Sequence, residues 1–244
     1  MERITPSEQY YKYFSNQDKQ KFEVAKSLSV YLESEPGLKD ELAQKDSITL
    51  LLLGSATPRN PQNLVRFLED LRPRRYTADK IIIEEISDTA IDFHRNDQKE
   101  SDIPVYLTKM DMREMAIQPK AVDLLIADFT LNFVSSLEDV NNFFREIRES
   151  LKEDGIALVS VSCNRYFLDQ EKYGRYQENI PFSQRRSFSV YKGLGTKQWM
   201  FTLPQYIEIA QNNGLSVAVL ARKDNEKIGP QFFLKIKINH SKKP

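Results

Sequence analysis

Carboxylate side chains follow several of the most apolar stretches of this 244-residue chain. Glu84 and Glu85 end the run IIIEE, Asp111 follows PVYLTKM, and Asp128 follows DLLIA. A carboxylate at the end of a buried strand can accept hydrogen bonds from two hydroxyl groups at once. Three of them also have a purely structural interpretation. The two glutamates are then solvated residues where a strand ends, and Asp111 is the cap of a helix over MREMAI.

A second candidate site is the junction ITLLLLGSATPRNPQNL, where an apolar run ends at a glycine and a helix begins. In α/β proteins the backbone N–H groups of such a junction often bind a nucleotide, because glycine allows close approach and a helix N-terminus favours anions. Only Gly54 is glycine here, and Ser55 and Ala56 follow it. An ordinary strand-to-helix turn therefore stays open as an alternative.

The residue types that other chemistries need are scarce. The two histidines, His94 and His240, are expected at the surface, and no Cys and His pattern has the spacing of metal ligands. The chain contains no Gly-x-Ser-x-Gly motif for a serine nucleophile. The single cysteine, Cys163, excludes an intrachain disulfide and fits a reducing compartment. The sequence thus assigns no catalytic residue and no metal.

Composition narrows the class of protein. Lys plus Arg and Asp plus Glu each number 35, so the formal net charge is zero and no global charge attracts nucleic acid or an anionic membrane. The apolar runs are far shorter than the roughly 20 residues that a membrane-spanning helix needs. The segment MERITPSEQYYKYF is too polar for a signal peptide. We therefore expect a cytoplasmic protein with no membrane partner, and the oligomeric state is not indicated.

Hydrophobic periodicity predicts alternating strands and helices. Helical spacing covers residues 6–43, with a break at EPGLKD, and five apolar strands then alternate with helices. Gly155 is interpreted as the end of the helix before the fifth strand. The predicted parallel strands are 47–54, 80–86, 104–111, 121–129 and 154–162; the helices are 61–71, 87–96, 136–151 and 202–214; strands 215–223 and 231–238 close the chain as an antiparallel hairpin.

This order of elements, with the residues above, resembles the class I S-adenosylmethionine-dependent methyltransferases over about residues 47–239. The resemblance implies an α/β fold: a Rossmann-like, seven-stranded, mostly parallel sheet with a C-terminal antiparallel hairpin and helices on both faces. It implies S-adenosylmethionine as the cofactor. It also divides the chain into N-terminal helices that serve as a lid or cap, 1–46, and a methyltransferase domain, 47–244, with a substrate-side insert at about 163–201.

In that family the loop after the first strand is rich in glycine and binds the cofactor. Its glycine positions fall on Gly54, Ala56 and Pro58 of this chain, and Ser55 lies between the first two. The acidic position of the family's motif falls on Leu52, which is apolar. The resemblance thus implies cofactor contacts at residues 54–56 without the usual carboxylate.

The remaining implied cofactor contacts follow strands two to four: Glu85 and Ile86, Asp111 and Met112, and Asp128 and Phe129. Glu85 would accept hydrogen bonds from both ribose hydroxyls, because the pattern after strand two selects it over Glu84. Asp111 would accept from the adenine amino group while the N–H of Met112 meets the ring. Asp128 and Phe129 would lie near the sulfonium.

The insert is the expected place of substrate selection. It combines aromatic residues with four arginines, which suits a lid over an anionic or aromatic small molecule, although a loop that packs its aromatics on the core is the alternative. The residues assigned to the substrate are Asn132, Arg165, Tyr166, Tyr191 and Trp199.

Methyl transfer to a small-molecule acceptor is the predicted function. The altered loop leaves open a methyltransferase-fold protein that binds the cofactor weakly or not at all and serves as a partner or regulatory subunit. Basic residues among aromatics make RNA a weaker alternative as acceptor. A nucleotide-dependent oxidoreductase is disfavoured, because Gly-x-Gly-x-x-Gly is missing.

Overall fold

A computed structural model describes residues 24–54, 59–72, 79–97, 101–134, 136–163, 201–225 and 229–241. Within them, helices and strands alternate, and seven strands form one sheet. The helices are α1 (Val24–Ser34), α2 (Gly37–Ala43), α3 (Arg59–Leu71), α4 (Asp88–Asp97), α5 (Leu137–Ser150) and α6 (Leu203–Asn212). The strands are β1 (Thr49–Leu53), β2 (Lys80–Glu85), β3 (Val105–Lys109), β4 (Val122–Asp128), β5 (Leu151–Ser162), β6 (Leu215–Asn225) and β7 (Gly229–Ile238).

The strand order is β3-β2-β1-β4-β5-β7-β6. The strands β1 to β5 pair in parallel, and β7 is antiparallel to both β5 and β6. This confirms the predicted fold class, including the closing hairpin. Strand β1 pairs with β2 on one side and with β4 on the other, so the order of the strands reverses beside β1. Open α/β sheets bind ligands at the carboxyl ends of the strands at such a point.

Strand β1 is buried on both faces of the sheet. Leu50 and Leu52 pack in the core that α1, α2 and α3 cover, while Leu51 and Leu53 pack in the core under α5 and α6. Successive side chains of a strand point to opposite faces, so a run of leucines fills both cores at once. The central strand therefore has no polar side chain in its last four residues.

Two buried carboxylates hold the start of β1. Asp79 and Asp123 accept hydrogen bonds from the backbone N–H groups of residues 48 and 49, at 2.8 and 2.9 Å. Arg72 pairs with Asp79 at 2.6 Å and Lys152 with Asp123 at 2.7 Å, so each buried charge has a cation beside it. These contacts fix β1 at the amino edge of the sheet, opposite the edge that carries the candidate site.

The ends of the helices follow the sequence signals. Ser136 accepts a hydrogen bond from the Asp139 N–H at the start of α5, and Thr202 forms a capping box at the start of α6. Gly214 has a φ of 72°, the left-handed conformation that ends a helix. The predicted break at EPGLKD is confirmed between α1 and α2. None of the helices in these described segments is long and apolar enough to cross a membrane.

The interpretation of Gly155 as a helix stop is wrong. Helix α5 ends at Ser150, β5 begins at the next residue, and Gly155 lies inside that strand. A Cβ on Gly155 would lie 2.8 Å from the Val122 carbonyl oxygen, where the pairing of β4 with β5 shifts register. Glycine is needed there for close backbone approach rather than for ending a helix.

We expect Gly155→Ala to lower the free energy of unfolding by about 1–3 kcal/mol, because backbone oxygens cannot give way as a flexible side chain can. Chemical denaturation measures the change. Gly37→Ala is the matched control, since a Cβ at Gly37 meets nothing within 4 Å and should leave stability unchanged or raise it slightly. Equal stability of the two variants would show that β5 shifts freely.

Candidate functional site

The turn after β1 requires a glycine. Gly54 has a φ of 68°, and its N–H donates to the Glu84 carbonyl oxygen at 3.0 Å. A Cβ on Gly54 would lie 3.1 Å from both Cγ2 and Oγ1 of Thr130, whose hydroxyl donates to the Leu53 carbonyl oxygen at 3.0 Å. Thr130 thus joins the end of β1 to the segment after β4. Ser55 and Ala56, also assigned to the cofactor, lie outside the described residues.

Glu85 lies at the carboxyl end of β2 and is almost fully buried. Its Oε1 accepts hydrogen bonds from the N–H groups of Ile86 and Ser87, at 3.0 and 3.3 Å, which orient the carboxylate. The Ser87 hydroxyl accepts from the Ala90 N–H and caps α4. Ile86 stays 38% exposed beside this carboxylate. The strand end therefore offers an oriented carboxyl group next to an apolar surface.

Glu84 lies on the opposite face of β2 and is 2% exposed, so it is not the solvated strand-end residue that the structural interpretation allowed. Its Oε2 accepts no hydrogen bond from any of the residues that the structure describes. Burial, together with the nearby carboxylates of Asp111, Glu85 and Glu146, raises the pKa of Glu84 to about 8. The side chain is thus largely neutral at pH 7.

Asp111 lies in the segment after β3 and is bound by Arg113. Its Oδ1 accepts from the N–H and Nε of Arg113, at 3.0 and 2.8 Å, and its Oδ2 accepts from Nη2 at 2.6 Å. Burial opposes ionisation, but these bonds outweigh it and hold the pKa of Asp111 below its usual value. Arg113 also donates to Asp139 of α5 at 2.9 Å.

The interpretation of Asp111 as the cap of a helix is wrong. Residues 112–117 form a turn and irregular chain, with a bridge between Asp111 and Glu114. The bond from the Arg113 N–H to the Asp111 carboxylate is an Asx turn, which fixes the chain locally without a helix.

Asp128, at the carboxyl end of β4, accepts hydrogen bonds at Oδ1 from two serine hydroxyls: Ser27 of α1, at 2.7 Å, and Ser160 of β5. Burial raises its pKa, and both hydroxyl donors work against the rise. Phe129 follows with a φ of 53°, and its N–H donates to the Ser160 hydroxyl at 2.9 Å. The end of β4 is thus held from β5 and from the N-terminal helix at once.

Asn132 is buried and bound to the end of β5. Its amide donates to the Ser162 hydroxyl at 3.3 Å and accepts from the Ser162 N–H at 3.4 Å. Its assignment to the substrate stays a prediction, and the other residues assigned to the substrate, Arg165, Tyr166, Tyr191 and Trp199, lie outside the described residues.

His94 is not the surface residue that the sequence predicted. It lies in α4 and is 5% exposed, because that face of the helix packs toward the sheet, whereas the side chain of His240 is exposed. Among the described residues, no group of three histidine, cysteine or acidic side chains could hold a metal ion.

Comparison with known proteins identifies the domain. Residues 65–159 match a family model described as a methyltransferase domain. The chain carries a methyltransferase domain. S-adenosylmethionine is the cofactor of such a domain, so the predictions of enzyme class and cofactor are confirmed. The matched segment includes β2, β3 and β4, whose ends carry Glu85, Asp111 and Asp128.

Solved structures share the fold of this methyltransferase at low sequence identity. A Pyrococcus horikoshii protein is 17% identical with a TM-score of 0.62, and the match covers 94% of this chain and 98% of that one. An S-adenosylmethionine-dependent methyltransferase from Methanosarcina mazei is 11% identical with a TM-score of 0.61, covering 82% and 97%. Another from Clostridium acetobutylicum is 13% identical with a TM-score of 0.58, covering 94% and 96%. No curated protein matches the sequence significantly.

Sequence reasoning missed several residues that build this edge of the methyltransferase: Ser27, Arg113 and Ser160. Ser160 carried a weak signal, since it is a polar residue inside the apolar run of β5. Ser27 carried none, because it contacts Asp128 across 101 positions of sequence.

Glu84 should make the methyltransferase less stable as the pH rises. Its folded pKa of about 8 exceeds the unfolded value of 4.5, so its stabilising contribution is complete below about pH 4.5 and is lost by about pH 8. Relative to Glu84→Gln, the free energy of unfolding of the wild type should fall by at most about 1.4 kcal/mol per pH unit in that interval. Urea unfolding of both proteins at several pH values measures it, and a difference independent of pH would contradict the assignment.

Proposed function

We propose that this protein transfers the methyl group of S-adenosylmethionine to a small-molecule acceptor, and that it holds the donor across the carboxyl ends of β1 to β4. The observation that carries the proposal is the placement of Gly54, Glu85, Asp111 and Asp128 along one edge of a methyltransferase sheet. The cofactor supplies an electrophilic methyl group on a sulfonium. The chain has to align that group with the acceptor in a site that excludes water.

We assign the ribose to Glu85. Its carboxylate is oriented by the N–H groups of Ile86 and Ser87 before any ligand binds. A carboxylate has two oxygens that each accept hydrogen bonds, so it suits the two neighbouring hydroxyl groups of a ribose. Preorganisation of this kind lowers the entropic cost of binding.

We assign the adenine to Ile86, Asp111 and Met112. The exposed side chain of Ile86 offers an apolar surface to one face of the ring, and Met112, which packs partly against the core, offers a polarizable thioether. Arg113 occupies three lone-pair sites of the Asp111 carboxylate and leaves one on Oδ2 for the adenine amino group.

We assign the amino-acid end of the cofactor to residues 54–56, Asp128 and Phe129. Leu52 is buried in the core and offers no carboxylate. Leu52 pairs with Ile126 of β4, and Asp128 lies two residues further along the same face of that strand. The neighbouring strand β4 therefore carries a carboxylate, two residues closer to the carboxyl edge of the sheet than the position of Leu52.

We place the acceptor beyond the end of β4, where Asn132 lies and where the insert follows β5. The zero net charge and the aromatic and arginine content of the insert favour a small anionic or aromatic acceptor over a nucleic acid. Ser27 brings α1 against Asp128, which supports a role of the N-terminal helices in covering this site. A buried free thiol at Cys163 is compatible with a cytoplasmic location.

Titration calorimetry with S-adenosylmethionine tests the proposal. A dissociation constant in the micromolar range supports an enzyme that uses this cofactor. A protein that is folded but binds nothing at millimolar ligand would instead be the partner or regulatory subunit that the altered glycine loop leaves open.

Glu85→Gln should weaken binding of S-adenosylmethionine by about tenfold to a hundredfold, the usual effect of losing charge-assisted hydrogen bonds. Calorimetry measures the affinity, and the melting temperature checks that the fold survives. Asp88→Asn is the matched control, because Asp88 is an exposed acid three residues on that pairs with Lys109. Unchanged affinity of a folded Glu85→Gln protein would remove the ribose assignment.

Asp111→Ala and Asp139→Ala separate two roles of Asp111. Each removes one carboxylate partner of Arg113, so both should lower the melting temperature, Asp111→Ala by more because Arg113 donates three bonds to Asp111 and one to Asp139. Only Asp111→Ala should also weaken the affinity for S-adenosylmethionine, by about tenfold, because only Asp111 is assigned to the adenine. Equal affinities of the two variants would mean that Asp111 acts only by holding Arg113.

A further inference from the structure

Glu84 is a buried acid at the carboxyl edge of the sheet, and none of the proposed cofactor contacts involves it. It precedes Glu85 in β2 and is close enough to Asp111, after β3, for that carboxylate to raise its pKa. Glu85 and Asp111 are the residues assigned to the ribose and the adenine. It is 2% exposed, and its Oε2 has no hydrogen-bond donor among the described residues. A buried carboxyl oxygen without a donor is costly, so this position is not explained by stability.

The charges around Glu84 are mostly negative. The carboxylates that face it come from three elements: Glu85 of β2, Asp111 of the segment after β3, and Glu146 of α5. Cations lie next to two of these, since Arg113 binds Asp111 and Arg145 lies 3.7 Å from Glu146. Burial, reinforced by these carboxylates, raises the pKa of Glu84 to about 8, so it holds a proton at neutral pH.

We propose that Glu84 makes this site discriminate between the cationic methyl donor and the neutral product. The inference rests on the proposed function. S-adenosylmethionine carries a sulfonium, so it has one positive charge more than S-adenosylhomocysteine. Binding of the donor drives the proton of Glu84 into solvent, because the positive charge of the sulfonium acts through the protein interior and favours the ionised carboxyl. After methyl transfer the sulfur is neutral, Glu84 takes a proton back from solvent, and the product loses that attraction.

This proton exchange makes donor affinity depend on pH with a definite sign. The donor lowers the pKa of Glu84 in the complex, so its affinity rises with pH up to about 8 and then levels off. The product shifts the same pKa little, so its affinity lacks this rise. Glu84 acts here through its charge and needs no contact with the ligand, which agrees with its burial.

Calorimetric titrations of both ligands into wild type and Glu84→Gln, at several values from about pH 6.5 to about pH 9, test the inference. The ratio of wild-type to variant affinity for S-adenosylmethionine should rise by a few-fold to about tenfold over this range, as unit charges interacting through protein interior predict. The same ratio for S-adenosylhomocysteine should stay nearly constant. Dividing wild type by variant cancels the titration of the ligand's own amino group. Glu114→Gln removes an exposed acid from the segment after β3, so its affinities for both ligands should change with pH as those of the wild type do.

A constant ratio for both ligands would overturn the inference while leaving the proposed function intact. Absence of donor binding at every pH, in wild type as well, would overturn the proposed function and this inference with it. If Glu84→Gln does not fold, titration of the wild type in two buffers of different ionisation enthalpy decides the matter. Near pH 7.5 the donor should release more protons than the product, and equal release would overturn the inference.

Discussion

The burial of β1 on both faces constrains the rest of this structure. Its leucines fill the cores on the two sides of the sheet, and Asp79 and Asp123 hold its amino end. A strand so placed cannot carry an ionised side chain at Leu52, because an unpaired charge there would lose its hydration without compensation. The polar groups of the site therefore stand on the ends of β2, β3 and β4, and β1 contributes the glycine turn.

The carboxyl groups at the ends of β2, β3 and β4 bring several acids close together. The hydrogen-bond donors around these acids differ. Asp111 is bound on both oxygens by Arg113, and Asp128 accepts from two serine hydroxyls. Glu85 accepts from backbone N–H groups, whereas Glu84 lacks a donor on Oε2 and stays protonated. The pKa values of Asp111 and Glu84 are thus shifted in opposite directions, because Arg113 donates to Asp111 whereas Glu84 is buried without a donor on Oε2. Shifts of this kind are common at functional sites.

Helix α1 packs against the sheet and contacts the carboxyl end of β4. Tyr31 packs in the core under α1 to α3 and meets Phe233 of β7 at 5.5 Å between ring centres. Phe129, after β4, contacts the same Phe233 at 6.2 Å. Together with the bond from Ser27 to Asp128, these contacts connect α1, the antiparallel hairpin and the end of β4. A shift of α1 would therefore alter the hydrogen bond from Ser27 to Asp128.

The sequence by itself determined the order of strands and helices, the break at EPGLKD, and the positions of acids at strand ends, because period and propensity depend on residues a few positions apart. Only the tertiary structure decided that Glu84 is buried without a donor, that Arg113 occupies Asp111, and that Gly155 lies within a strand. Those outcomes depend on which side chains meet across the sheet, and residues as distant in sequence as Ser27 and Asp128 meet only in the folded chain. Local sequence patterns do not indicate which distant residues meet. The helices and strands were therefore predictable, whereas the pKa shifts of Glu84 and Asp111 were not.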